Sequence, residues 1–208
     1  MIVAEELQKY DVSRETMQKL QDFVSILTDW NEKMNLVSKN SLSEVWARHV
    51  FDSLQLVKYL PEKIEKLVDI GSGAGFPGVV LAVYLAEKSP ETKVILVESI
   101  TKKANYLLSV CSELGLKNVK VINNRIENEK FDGVDVITAR AVASLKILCE
   151  YAYKTGLNRT NLLFLKGKSY KEELEEAAKF WSFKQDIYQN NYSDDGVILK
   201  LADLRKRK

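Results

Sequence analysis

The stretch LVDIGSGAGFPGVVLAVYL, residues 67–85, limits what this chain can fold into more than any other. An apolar run ends in Asp69, glycines follow at positions 71, 73, 75 and 78, and a second apolar run begins. Strand, glycine loop and helix in that order form the first βα turn of a nucleotide-binding sheet. There the chain reverses sharply and a ligand lies against bare main chain. The spacing narrows the ligand. The dinucleotide fingerprint is G-x-G-x-x-G, and read from Gly71 its last glycine falls on Phe76. Pro77 suits a helix start but removes an amide that a pyrophosphate would use. A dinucleotide is therefore not the expected ligand. Glu98 closes the next apolar run, VILVES, where a carboxylate can accept from both hydroxyls of a ribose. Its alternative is to cap the following helix, a role open to Ser99 or Thr101 as well. Taken together, loop and acid point to an adenosine-type cofactor across the first two strand ends.

The rest of the chain is consistent with that turn. Residues 13–34 have an amphipathic pattern, with Ser13 as cap and Met17, Leu20, Phe23, Leu27, Trp30 and Met34 at helical spacing. A second helix is expected over about 43–58, carrying ARHVFDSLQLV, with Pro61 ending this helical opening. Beyond it, the apolar runs KLVDI, VILVES, NVKVIN, GVDVIT and NLLFLKG alternate with helical patterns, and Gly115 stands where a helix C-terminus needs positive φ. Strands apolar throughout imply a parallel sheet covered on both faces. The end breaks the alternation: WSFKQDIYQN and GVILKLA flank Asp194-Asp195-Gly196 and should pair antiparallel. The expected fold is α/β, a Rossmann-like class I methyltransferase, with a mostly parallel seven-stranded sheet ending in an antiparallel hairpin. Residues 1–60 form an N-terminal helical extension packed on a cofactor-binding domain at 61–208, one globular unit overall.

Composition excludes several alternatives. The longest apolar runs are about half of what a membrane span requires, and MIVAEELQKY carries acids too early for a secretory signal. A cytoplasmic protein is expected, away from membranes, and nothing demands more than a monomer. Cys111, Cys149 and the single histidine, His49, do not furnish a Cys/His zinc site, so no metal is expected. Net charge is +2, so nucleic-acid binding would need a local basic patch. The tail Arg205-Lys206-Arg207-Lys208 reads either as a frayed, solvated terminus or as such a contact. Trp30 and Trp46 lie on apolar helix faces and are expected in the core rather than stacking on bases.

DIGSGAGFPG, with WNEKMNLVS and RHVFDSL upstream and ARAVASL and LKGK downstream, resembles the bacterial small-subunit ribosomal RNA methyltransferase G family, also called GidB. The likeness runs over about residues 25–170, with the motifs in the family's order. It implies methyl transfer from S-adenosylmethionine to N7 of a guanine in a decoding-centre loop of 16S ribosomal RNA, in free RNA or in the small subunit. It also places cofactor contacts at Gly71, Ser72, Gly73, Gly75, Phe76, Glu98, Ile126, Glu127 and Arg140. Arg125 and Lys166 match positions facing the substrate. Neutral guanine N7 already carries a lone pair, so no general base is required and alignment does the work, with Arg140, Lys166 and Arg125 as positioning groups. Arg48, His49, Arg125, Lys166 and Lys168 are the candidate RNA contacts. For His49 the alternative is an imidazole bonded to Asp52 or main chain, and for Arg48 an ion pair with Glu44. Two other functions remain open: a cofactor-sensing ribosome-assembly factor and an NAD(P)-dependent oxidoreductase.

Overall fold

A computed structural model describes residues 2–157 and 160–207. Its strands are β1 (Lys66–Ile70), β2 (Lys93–Val97), β3 (Val119–Ile122), β4 (Val136–Arg140), β5 (Asn161–Lys166), β6 (Trp181–Gln189) and β7 (Val197–Lys206). They form one seven-stranded sheet in the order β3-β2-β1-β4-β5-β7-β6. The first five are parallel, and β7 runs antiparallel to both β5 and β6. The expected sheet with its terminal hairpin is present. The strand order reverses between β1 and β4, the switch point where open α/β sheets bind ligands beyond their carboxyl ends.

The helices are α1 (Ile2–Gln8), α2 (Arg14–Asn31), α3 (Lys39–Ser43), the single turn α4 (Asp52–Leu54), α5 (Gly78–Lys88), α6 (Thr101–Glu113), α7 (Leu145–Lys154) and α8 (Tyr170–Ala178). One core lies between the sheet, α5, α6 and the N-terminal elements, joining Leu20, Phe23 and Leu27 to Val79, Val83 and Tyr106. The other lies under α7 and α8, joining Ile70, Ile137 and Phe164 to Leu148, Leu174 and Trp181. Burial on both faces explains why the central strands carry no alternating polar residues. Among the described residues no helix is long and apolar enough to cross a membrane, and no group of three or more His, Cys, Asp or Glu could hold a metal.

The N-terminal part departs from the expected pair of helices. Ser13 caps α2, accepting from the Thr16 amide at 3.1 Å, and Glu87 on α5 accepts from the Ser13 amide at 3.0 Å. The helix stops at Asn31, short of residue 34, because the Asn31 Oδ1 accepts from the amides of both Leu36 and Val37 at 2.9 Å and turns the chain away. Trp30 nevertheless packs edge-on against Tyr106 at 5.6 Å. The helix expected over 43–58 is not continuous. A π-helix covers Trp46–Phe51, then α4, then a 3₁₀ segment over Gln55–Tyr59. Val45 and Val50 explain the widening. Both are buried, yet residues five apart lie about 140° apart around an α-helix. A π turn, bonded i to i+5, brings the two onto one face.

The basic tail is also more ordered than a frayed end. β7 runs through Arg205 and Lys206, and the Arg207 amide donates to the Phe180 carbonyl at 2.8 Å. Lys208 lies outside the described residues.

Candidate active site

The glycine loop leaves the end of β1 already tied to β2: the amides of Gly71 and Ser72 both donate to the Val97 carbonyl, at 2.8 and 3.1 Å. Gly73 has a φ of +52°, and an added Cβ would meet only the Gly71 carbonyl oxygen, at 3.6 Å. Its backbone therefore faces open space that a ligand can use. Glu98 stands one residue past β2, buried at 5% exposure. Its Oε2 accepts from the Gly73 amide at 3.0 Å and its Oε1 from the Ile100 amide at 2.7 Å. Glu98 thus fills the capping role at the start of α6 and also stands beside the glycine loop. A carboxylate has about four lone-pair positions, so two amide donors leave it able to accept from two hydroxyls. Loop and acid together fit the adenosyl part of S-adenosylmethionine.

Beneath the loop lies Asp69, fully buried between β1 and β4, with its Oδ1 accepting from the Thr138 hydroxyl at 2.6 Å. Burial pushes its carboxyl up to about 6, against the opposing hydrogen bonds. A Cβ on Gly78 would come within 2.5 Å of Asp69 Oδ2, so the start of α5 passes too close for any other residue. Pro77 is the N-cap of α5 rather than its first residue.

A cleft of about 1320 Å³ opens beside the loop, over the ends of β4 and β5. Arg140 ends β4 on its wall. Its Nη1 donates to Asp52 Oδ2 at 3.0 Å and to the Arg48 carbonyl at 2.9 Å, and its guanidinium lies over the Phe76 ring at 5.1 Å. Burial lowers the Arg140 pKa from its ordinary value, and Asp52 opposes that effect. Lys166 ends β5, donating to Glu173 at 2.6 Å and to the Ala143 carbonyl at 2.8 Å, with its side chain 8% exposed. Arg140 and Lys166, the two buried cations of the cleft wall, therefore each carry a matched carboxylate, and Arg48 at its exposed rim pairs with Glu44.

His49 sits on the π-helix with its ring stacked on Phe76 at 4.8 Å. The alternative considered for it, a bond to Asp52 or main chain, is not made among the described residues. Both ring nitrogens are buried without a hydrogen-bond partner among the described residues, and Asp52 is bonded to Arg140, Gln55 and Asn190 instead. Burial, with the Arg140 and Arg48 charges, pulls the imidazole down to about 3, so it is neutral at physiological pH. The Phe76 ring is itself buried, wedged among Phe23, His49 and Arg140. What it offers a ligand is main chain, and its ring anchors the N-terminal elements to the loop.

The remaining candidates scatter more widely. Ile126 packs in the core beside β2, and Glu127 lies 3.8 Å from Arg125, whose side chain is 75% exposed. Arg48 pairs with Glu44 at 3.3 Å on the surface, and Lys168 is exposed after β5. Trp46 packs against Phe51 at 5.8 Å and also lines the cleft, so it is only partly a core residue. Sequence reasoning gave no site role to Asp52, Glu173 or Asn190. Asp52 alone stands out, as a carboxylate among the apolar residues of VFDSLQL; Glu173 in SYKEELEEAAK and Asn190 in YQNNYSDDG lie in polar stretches that do not mark them.

This fold is that of the class I S-adenosylmethionine-dependent methyltransferases. A methyltransferase from Aquifex aeolicus described as SAM dependent superposes with a TM-score of 0.59 at 17% identity, covering 86% of this chain and 97% of its own. The model of the GidB family, rRNA small subunit methyltransferase G, matches residues 16–194. Two relatives carry the name ribosomal RNA small subunit methyltransferase G. The protein from Cereibacter sphaeroides is 39% identical over 95% of this chain and 96% of its own length. That from Orientia tsutsugamushi (strain Ikeda) is 40% identical over 92% and 93%. The chain belongs to the rRNA small subunit methyltransferase G family.

Proposed function

We propose that this protein is a cytoplasmic enzyme that methylates N7 of a guanine in the decoding-centre loop of 16S ribosomal RNA, using S-adenosylmethionine. The observation that carries the reading is the Glu98 carboxylate held against the Gly73 amide, in a loop whose Gly71 and Phe76 pack against Val142 and His49 of the cleft wall. Main chain at Gly71, Ser72, Gly73, Gly75 and Phe76 would border the cofactor, Glu98 would accept from its ribose, and Ile126 and Glu127 would flank its adenine. Bound there, S-adenosylmethionine supplies an electrophilic methyl group. The relatives named as rRNA methyltransferases favour this reading over the oxidoreductase one.

The residues of the cleft suit a nucleophile that needs no deprotonation. His49, held near 3, is too weakly basic to take a proton at neutral pH, and guanine N7 presents a lone pair without losing one. Alkylation leaves positive charge on the purine, which unpaired cations beside it would oppose. Arg140 and Lys166 are each compensated, by Asp52 and Glu173, so the wall does not repel that charge. Alignment of the base in the cleft then contributes on the order of 7–11 kcal/mol. Lys166 braces the β5–α8 connection through Glu173. The exposed Arg48, Arg125 and Lys168 are the groups that would meet phosphates. Arg48 is available because an exposed ion pair such as that with Glu44 contributes little and is readily exchanged.

The test is incubation with methyl-labelled S-adenosylmethionine and unmodified small subunits or 16S RNA, followed by mapping of the label. We expect one labelled guanine, sensitive to the cleavage chemistry of N7-methylguanine. Label at another ring position, or none, would refute the assignment.

A further inference from the structure

Asp52 is 7% exposed, and its carboxylate ties its own segment to two others far away in sequence. Oδ2 accepts from Arg140 Nη1 at the end of β4. Oδ1 accepts from Asn190 Nδ2 at 2.6 Å, in the β6–β7 connection, and from Gln55 Nε2 at 3.0 Å, in the 3₁₀ segment. The amides are locked in turn: Gln55 Nε2 donates to Asn190 Oδ1 at 2.8 Å, and the Asn191 amide donates to Gln55 Oε1 at 3.1 Å. A network this closely satisfied has one geometry and tolerates no other.

The consequence falls on Arg140. Asp52 and the Arg48 carbonyl both engage Nη1 alone. Among the described residues Nε and Nη2 have no protein partner, although the side chain is only 17% exposed and lines the cleft. Nε and Nη2 form the edge of a guanidinium that matches a pair of oxygens on a carboxylate or a phosphate. A long arginine left to itself would sample many rotamers, and Asp52 leaves it one.

We propose that Asp52 is a positioning residue for methyl transfer: by holding Nη1 it presents the Nε and Nη2 edge of Arg140 to an anionic group of the cofactor or the RNA. This rests on the function proposed above. Asp52 touches neither ligand and acts only through Arg140.

The experiment is a cycle of Asp52→Asn, Arg140→Gln and the double variant, assayed for kcat and KM with small subunits and for affinity by calorimetry. Acting through Arg140, Asp52→Asn should lower kcat/KM by about 10- to 100-fold. Arg140→Gln should lose at least as much, and the double variant no more than Arg140→Gln alone. Calorimetry with S-adenosylhomocysteine and with the RNA distinguishes the anions: the affinity that falls in Asp52→Asn names the partner. Multiplying losses, or a fully active Asp52→Asn, would overturn the proposal. If Arg140→Gln fails to fold, the Nη signals of Arg140 decide. Holding Nη1 hinders rotation about the Cζ–Nη bonds, so separate Nη resonances should appear in the wild type and merge in Asp52→Asn, and unchanged signals refute the role. A wild type that transfers no methyl would sink the proposed function, while the arginine signal would still report on Asp52.

Discussion

Two sides of one sheet end build this site by different means. On the β1–β2 side a single stretch, residues 66–98, supplies strand, glycine loop, helix, second strand and acid, and its polar contacts run largely through main chain. On the β4–β5 side the cleft draws Arg48 and Asp52 from the N-terminal elements, Arg140 and Lys166 from strand ends, Glu173 from α8 and Asn190 from the hairpin. There the contacts are mostly made by side chains, and the Arg140–Asp52 pair joins positions 88 residues apart. The first side is a device for binding a common adenosyl group, and its geometry is set by backbone. The second is a surface for one particular target, and it depends on tertiary structure to exist at all.

That contrast can be broken most severely at Arg140. Removing its charge leaves the buried Asp52 carboxylate uncompensated, which costs about 3–5 kcal/mol when a buried pair is halved. We expect Arg140→Gln to lose that much in urea unfolding at pH 7, and the double variant with Asp52→Asn to recover most of it. Equal stability of the single and double variants would mean that the pair carries no such coupling.

Asp69 lies on the border between the two sides and gives the next effect. Its carboxyl is raised from 3.8 to about 6 by burial, so the folded state holds the proton more tightly than the unfolded state does. Stability from this group is complete below about pH 4 and declines as pH rises through 6. The full difference corresponds to ~3 kcal/mol. Asp69→Asn should flatten the unfolding free energy between pH 4 and 7 by up to that amount. Parallel curves for variant and wild type would show that Asp69 titrates normally.

Glu98 sharpens the comparison from the cofactor side. Glu98→Ala should weaken binding of S-adenosylhomocysteine by about 1.5–3 kcal/mol in calorimetry, the range for hydrogen bonds to a charged group. Unchanged affinity would remove Glu98 from the ribose.

The legibility of the two sides in sequence follows from how they are made. β1, the loop, α5 and β2 are contiguous, so glycine spacing and a strand-end acid were enough to place Gly73 beside Glu98. The hairpin was readable from two apolar runs around Asp194-Asp195-Gly196. The π-helix was not, because its cause is the burial of Val45 and Val50 together, and only the packed core imposes that. Nor was the partner of Arg140: Asp52 lies 88 residues earlier, ahead of the first strand, and no local pattern joins the two. The same holds for His49, whose neutral, stacked state depends on Phe76 and on two arginines brought in by the fold.

The most direct test is a crystal structure with S-adenosylhomocysteine bound. The ribose hydroxyls should lie within hydrogen-bonding distance of the Glu98 carboxylate, with the adenosyl group against the main chain of Gly71 to Gly75. An adenosyl group lodged instead in the large cleft over β4 and β5, away from Glu98, would contradict the division of the site described here.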